Sequence, residues 1–516
     1  MKIAMTGVSG NMGREALKQT FELPNVELIR IILRNSDKNK ILAQKLVKQY
    51  KTKIEIIFDS INSQQACENL VKDMDYVVHM AAVIPPKSDN YPQQSYDCNR
   101  EGAIILVNAI KKQNPQPKLI HISTIAVYGN RNEKHPFGRV GDPLLISPFD
   151  AYAKDKLFAE RYLLESELEN WVILRQTAML HPNIYKDNLS DGLMFHTALN
   201  APLEWINSED SGLLIKNILK RDSANEVPHF WKRIYNIGAG LGGRVTGYDT
   251  IDVGFSIIGA TINKYFKPNY FSSRNFHGIW IADGDSLNDM FHYQRGSFLQ
   301  FWQDLAKAHP IFSLGKIVPK FILNTFLFNR LLNDSNSPHT WLKSKDIPKV
   351  QAYFGGEQFA NNRPTEWDKV LLLTKNAFGN FDELRANTNY NLLSHGYDEN
   401  KALSDLTLED LQKAAEFRGG KCLAEKAPEN EYVKIKWQCS EGHIFESSVY
   451  TILGAGHWCP ECTMPEKQTY WRFDYLAKKS PFFAQLWYDS HDSDEDIIYY
   501  IDEQGCQCIK KEELWK

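Results

Sequence analysis

The sequence has no apolar run near the roughly 18–20 residues that a membrane-spanning helix needs. Its first residues, MKIAMTGVSGNMG, reach glycines at once and contain no apolar stretch of the signal-peptide kind. Eight cysteines among 516 residues are too few and too clustered for a disulfide framework. A reducing, cytoplasmic setting is therefore expected. Excess charge of one sign is also missing: 60 Lys and Arg stand against 63 Asp and Glu, a net of −3. That balance excludes a strongly basic nucleic-acid binder as a description of the whole chain. Repeats and low-complexity tracts are absent too. With 43% hydrophobic and 24% charged residues, the composition is that of a folded globular chain of two to four domains.

The first 180 residues alternate apolar strand patterns with amphipathic helical ones. Strands are expected at 3–6, 27–33, 53–58, 76–80, 119–123 and 172–175, and helices at stretches such as 14–21, 103–112 and 151–166. Several strands are apolar throughout, as when helices cover both faces of a sheet. The pattern predicts an α/β fold, a Rossmann-type doubly wound parallel sheet. A looser, aromatic and glycine-rich stretch over 176–310 reads as a substrate lobe, and 311–400 as a mainly helical extension. Within it, the apolar stretch 317–332 is interrupted by Lys320, Asn324, Asn329 and Arg330. It reads as a docking helix, the alternative being a helix lying on a membrane surface. The composition shifts again at 401, after which six of the eight cysteines fall. Residues 401–463 read as a small separate zinc-binding module and 464–516 as an acidic, aromatic tail.

Residues 6–13, TGVSGNMG, follow the first strand and open the first helix. In that context Gly7 allows a tight turn, Gly10 a close approach to a pyrophosphate, and Gly13 tight helix–strand packing, with the helix N-terminus facing phosphates. Ser9, Asn11 and Met12 complete the loop. At the end of the second strand an acidic residue would bind the ribose hydroxyls of NAD. This chain has Arg34 there, and Arg14 just after the loop. A guanidinium suits a 2′-phosphate, so NADP is expected. NAD is the alternative if Arg34 is only a solvated strand-end residue.

Tyr152 and Lys156 lie at i and i+4 on one helix. A phenol is a poor base at neutral pH, and a nearby ammonium favours its phenolate. The pair is thus an acid/base unit for proton transfer coupled to hydride transfer. Thr124, at the carboxyl end of the fifth strand, can hydrogen-bond the same substrate oxygen.

These motifs, with HMAA at 79–82, Asn99 with Gly102, STIAVYG at 123–129, YAKDK at 152–156, ILRQT at 173–177, YNIG at 235–238 and ADGDSLNDMFHY at 282–293, resemble the extended short-chain dehydrogenase/reductase family, the NAD-dependent epimerase/dehydratase group. The resemblance covers roughly residues 1–310. It implies a Rossmann domain, a nicotinamide cofactor, often dimers, Asp59 near the adenine, Ala81 near the ribose, and Tyr152, Lys156 and Thr124 as catalytic residues. Two departures stand out. Dehydratases of the family carry Asp-Glu after the catalytic Thr, where this chain has Ile125-Ala126. The usual Arg-Pro after the catalytic helix is Arg175-Gln176. No clear basic cluster for a nucleotide diphosphate emerges in the lobe, where Lys186, Arg233, Arg244 and Arg274 are the candidates.

Cys439 and His443, then Cys459 and Cys462, have the spacing of a closed Cys3His zinc site on two turns. The segment resembles treble-clef or zinc-ribbon modules of bacterial endonuclease-associated proteins, which implies nucleic-acid binding. Charge points the other way: residues 401–516 hold 14 Lys and Arg against 21 Asp and Glu, and an acidic surface repels a phosphate backbone. A structural or protein-docking role is expected. Cys506 and Cys508 would form a second metal pair of less typical spacing. The combined expectation is an NAD(P)-dependent oxidoreductase or epimerase acting on a hydroxyl or ketone carbon of a small molecule such as a sugar. The alternative is a non-catalytic dinucleotide-binding scaffold or sensor whose zinc module docks a partner.

Overall fold

The computed structural model describes residues 1–185, 192–312, 318–464 and 470–500. Seven strands form one parallel sheet: β1 (Lys2–Thr6), β2 (Leu28–Leu33), β3 (Ile54–Phe58), β4 (Tyr76–His79), β5 (Lys118–Thr124), β6 (Trp171–Gln176) and β7 (Arg233–Ile237). Their spatial order is 3-2-1-4-5-6-7. The first six match the apolar runs seen in the sequence to within a residue or so. The seventh escapes that reading because Arg-Ile-Tyr-Asn-Ile carries polar residues that an edge strand tolerates. The order reverses between β1 and β4, which opens a crevice at the carboxyl ends of the strands.

Helix α1 (Asn11–Thr20) buries Met12, Ala16 and Leu17. It packs so closely on the helix Ser208–Ser223 that a Cβ at Gly212 would come within 2.8 Å of Glu15. Helix α2 (Ala151–Leu164) is capped by Asp150, which accepts from the Ala153 amide at 2.8 Å. It buries not only Ala153, Leu157 and Leu163 but also Asp155, Lys156, Glu160 and Arg161. An amphipathic surface helix would leave those charges in water. Here both faces are covered, because the cysteine-rich segment packs on the side away from β5.

That segment is an antiparallel sheet of β8 (Lys421–Cys422), β9 (Lys434–Gln438) and β10 (Ile444–Ser448). Its Trp437 and Trp458 share one hydrophobic core with Ala153 and Leu157 of α2 and with Trp341 and Phe354 of the helical extension. Polar contacts follow the same seam. Arg161 donates to the Trp458 carbonyl at 3.0 Å and to Ser447 at 3.1 Å, and the Tyr450 hydroxyl accepts from the Ile234 amide at 2.7 Å. Compositional change at residue 401 therefore marks a change of architecture and not a detached body.

At the centre of the seam Arg175 of β6 meets Glu160 of α2 at 2.8 Å, both with no side-chain exposure. Arg175 also donates to the Tyr128 hydroxyl at 2.7 Å and the Ala455 carbonyl at 3.0 Å, and Ser123 donates to Glu160. Burial alone would raise the Glu160 carboxyl. The Arg175 charge, with His457 beside it, outweighs burial and holds it well below the usual carboxylate range.

In the extension, the stretch Lys320–Leu332 is helical with a π-turn at Asn324–Phe328. It buries Phe328, Leu331 and Leu332 and exposes Phe321 and Phe326, so it docks along one face as expected. No helix among the described residues is long and apolar enough to cross a membrane.

Removing one member of a buried ion pair strands the other charge at a cost of about 3–5 kcal/mol. Arg175→Leu should lose about that much stability in urea denaturation, and a loss below about 1 kcal/mol would show that the pair is not the linchpin of the seam.

Candidate active site and metal centre

The glycine loop is shaped by steric necessity. Gly7 has φ +73°, and a Cβ there would sit 2.5 Å from the Met80 carbonyl carbon. A Cβ at Gly13 would lie 2.3 Å from the Gly7 oxygen. The neighbouring Thr6 hydroxyl accepts from the Met80 and Ala81 amides at 3.1 and 3.0 Å, which pins the end of β4 against the loop. Gly10 caps α1 without a side chain, so the first-turn amides face the crevice as a ready anion site. This backbone cradle fits a dinucleotide pyrophosphate.

A cavity of about 550 Å³ runs from Gly7, Gly10, Asn11, Met12 and Gly13 to Thr124, Tyr152 and Lys156. Thr124 ends β5, accepts from the Ala126 amide at 3.1 Å and is hydrogen-bonded to Tyr152. Burial pushes the Tyr152 phenol up to about 12, against the pull of Thr124 and with a further push from the Asp150 charge. The phenol is thus raised, not lowered as a neighbouring ammonium led one to expect, and at neutral pH it holds its proton. Lys156 donates to the Ile122 carbonyl at 2.8 Å, and burial lowers its ammonium to about 8.

Sequence reading missed several groups around this set. The His121 and His79 rings lie 5.1 Å apart, tilted by 37°, on adjacent strands. Burial, then the Lys156 charge, lowers His121 to about 3 and burial keeps His79 well below its ordinary value, so both are neutral. His277 lines the cavity and contacts Asp150 at 2.6 Å. Ser9, Arg34, Asp59 and Ala81 surround the cofactor end without lining the cavity. Arg34 and Asp59 are exposed at the ends of β2 and β3, and Asp59 accepts from the Ser60 amide at 2.7 Å.

Residues 3–204 match the model of the NAD dependent epimerase/dehydratase family. Among solved structures, a dTDP-glucose 4,6-dehydratase from Bacillus anthracis in complex with NAD is 17% identical, covers 61% of this chain and 98% of its own, and superposes with a TM-score of 0.47. A UDP-glucose 4-epimerase from Bifidobacterium longum with NAD+ and UDP is 15% identical over 60% and 99% of the two chains, with a TM-score of 0.47. A UDP-glucuronic acid 4-epimerase from Bacillus cereus is 19% identical over 60% and 99%, with a TM-score of 0.46. Comparison with curated proteins finds no match.

The cysteine-rich segment lies outside the stretch matched to the epimerase/dehydratase family. In it Cys439, His443, Cys459 and Cys462 converge, their ligand atoms all within 4.8 Å of one another. Cys439 Sγ lies 3.7 Å from Cys462 Sγ and 3.4 Å from His443 Nδ1, and Cys459 Sγ lies 3.7 Å from the same nitrogen. A tetrahedron with zinc–sulfur arms of about 2.3 Å has edges of about 3.8 Å, so four zinc ligands fit this geometry. Gly442 turns the first pair at φ +83°, and Cys459 caps the short helix Pro460–Thr463 that carries Cys462. Cys506 and Cys508 lie outside the described residues, as does Lys186.

An ammonium that titrates near 8 is charged below that pH and neutral above it. If Lys156 serves the reaction as a cation, kcat/KM should fall about tenfold per pH unit above about 8. A flat profile to pH 10, read with a pH-insensitive substrate, would separate Lys156 from the chemistry.

Proposed function

We propose that the chain is a nicotinamide-dependent oxidoreductase or epimerase acting on a hydroxyl or ketone carbon. One observation carries this: Tyr152, Thr124 and Lys156 share a single cavity with the glycine loop. A bound nicotinamide supplies or accepts hydride at the substrate carbon. Tyr152, neutral at pH 7, donates its proton to the substrate oxygen in the reducing direction and takes it back in the oxidising one. The Thr124 hydroxyl shares a hydrogen bond with Tyr152 and holds that oxygen. Lys156, fixed to the Ile122 carbonyl, stabilises the phenolate left behind and would help hold the cofactor ribose. Buried α2 keeps all three in register and water out.

Arg34 makes no ion pair among the described residues, and its exposed guanidinium supports NADP(H) as the preferred dinucleotide. The four ligands of the cysteine cluster leave no open position, so zinc there would be structural. Thiolate ligands need a reducing compartment, which favours the cytoplasm. In this reading the segment's docking partner is the chain's own catalytic helix.

Tyr152→Phe removes the transferable proton and little else. It should lower kcat at least about a hundredfold while the dinucleotide Kd stays within about threefold. Wild-type turnover by that variant would move the active site elsewhere. Calorimetry should show NADPH binding more tightly than NADH, and the reverse order would remove Arg34 from the cofactor site. Metal analysis should find about one zinc per chain, lost in Cys459→Ser. Protein purified without chelator yet free of zinc would contradict the ligand assignment.

A further inference from the structure

The substrate half of the cavity has a chemistry of its own. Beyond the catalytic set it is walled by Met194, Trp205, Ile251, Phe255, Phe276 and Trp302. Among the described residues that line it, Lys156 is the one lysine and there is no arginine, whereas Asp89, Asp150 and Glu204 all contribute. The arginines that could have met a diphosphate are engaged elsewhere. Arg233 pairs with Glu431 at 3.2 Å, Arg244 with Glu204 at 3.3 Å, and Arg274 with Glu495 at 3.1 Å. Of the three lining histidines, His181, His196 and His277, His277 is matched by the Asp150 carboxylate, and burial lowers His196 to about 3, which leaves it neutral.

We infer that the site takes a neutral, largely apolar, ring-containing alcohol or ketone with few polar substituents, and not a sugar linked to a nucleoside diphosphate. This rests on the oxidoreductase reading above and narrows its substrate class. The apolar wall supplies affinity through burial of the ring system, and the carbonyl oxygen meets Tyr152 and Thr124.

The test uses the full chain saturated with NADPH, or with NADH if that binds better. Isothermal titration then compares 2-tetralone and related neutral fused-ring ketones with UDP and UDP-glucose. At least one ketone should bind about tenfold or more tighter than UDP-glucose, a difference of about 1.4 kcal/mol. Ile258→Arg, a half-buried position on the cavity wall, should weaken ketone binding about tenfold and leave dinucleotide binding unchanged. UDP or UDP-glucose binding as tightly as the best ketone would overturn the substrate class while the oxidoreductase reading stood. So would failure of every ketone, or ketone binding that Ile258→Arg does not touch. If neither dinucleotide binds, the oxidoreductase reading falls and the substrate class falls with it.

Discussion

One buried ion pair, Glu160 with Arg175, sits where the sheet, helix α2 and the cysteine-rich segment meet. Glu160 sits one turn beyond Lys156 on the catalytic helix, and Arg175 lies on β6, next to the strand that ends in Thr124. The same pair reaches Ser123, Tyr128 and the Ala455 carbonyl. It therefore ties the acid/base helix to the sheet on one side and to the cysteine-rich segment on the other. A buried pair is seldom a net gain over packed hydrocarbon, but it is intolerant of misplacement. Its worth here is positional: it fixes where Tyr152 and Lys156 stand relative to the end of β5.

That constraint also explains the electrostatics of the site. Covering α2 on both sides removes water from Tyr152 and Lys156 together. Loss of water raises a phenol and lowers an ammonium, so the two move apart, to about 12 and about 8. The neutral histidines near Lys156 add bulk and hydrogen-bonding capacity without further charge. In the proposed function, proton transfer between phenol and substrate oxygen would take place beside the fixed Thr124 hydroxyl and Lys156 ammonium.

Much of this was legible in the chain. Continuous apolar runs located six of the seven strands, because strands covered on both faces must be apolar throughout. The glycine loop was legible because each glycine answers a steric demand that the structure shows, as at Gly7 and Gly13. Cysteine and histidine spacing located the group of four side chains that could hold a metal for a similar reason, since a tetrahedral site built from two turns admits few spacings. What stayed hidden depends on tertiary contact. Nothing local marks Asp150 and His277 as neighbours, because 126 residues separate them. Burial of charged Glu160 and Arg161 reads as a solvated helix face until the partner is known to be residues 444–459. The rise of the Tyr152 phenol follows from the same covering, which no spacing rule contains.

The cysteine-rich segment and the catalytic helix share one core, and that claim is open to direct measurement. Amide hydrogen exchange of the intact protein in mild urea reports the free energy at which each segment opens. If the core is shared, the amides of Ala151–Leu164 and of Ile444–Ser448 should open together, with one free energy and one urea dependence. Opening of Ile444–Ser448 at lower urea, while Ala151–Leu164 stays fully protected, would contradict it and make the C-terminal segment an independent attachment.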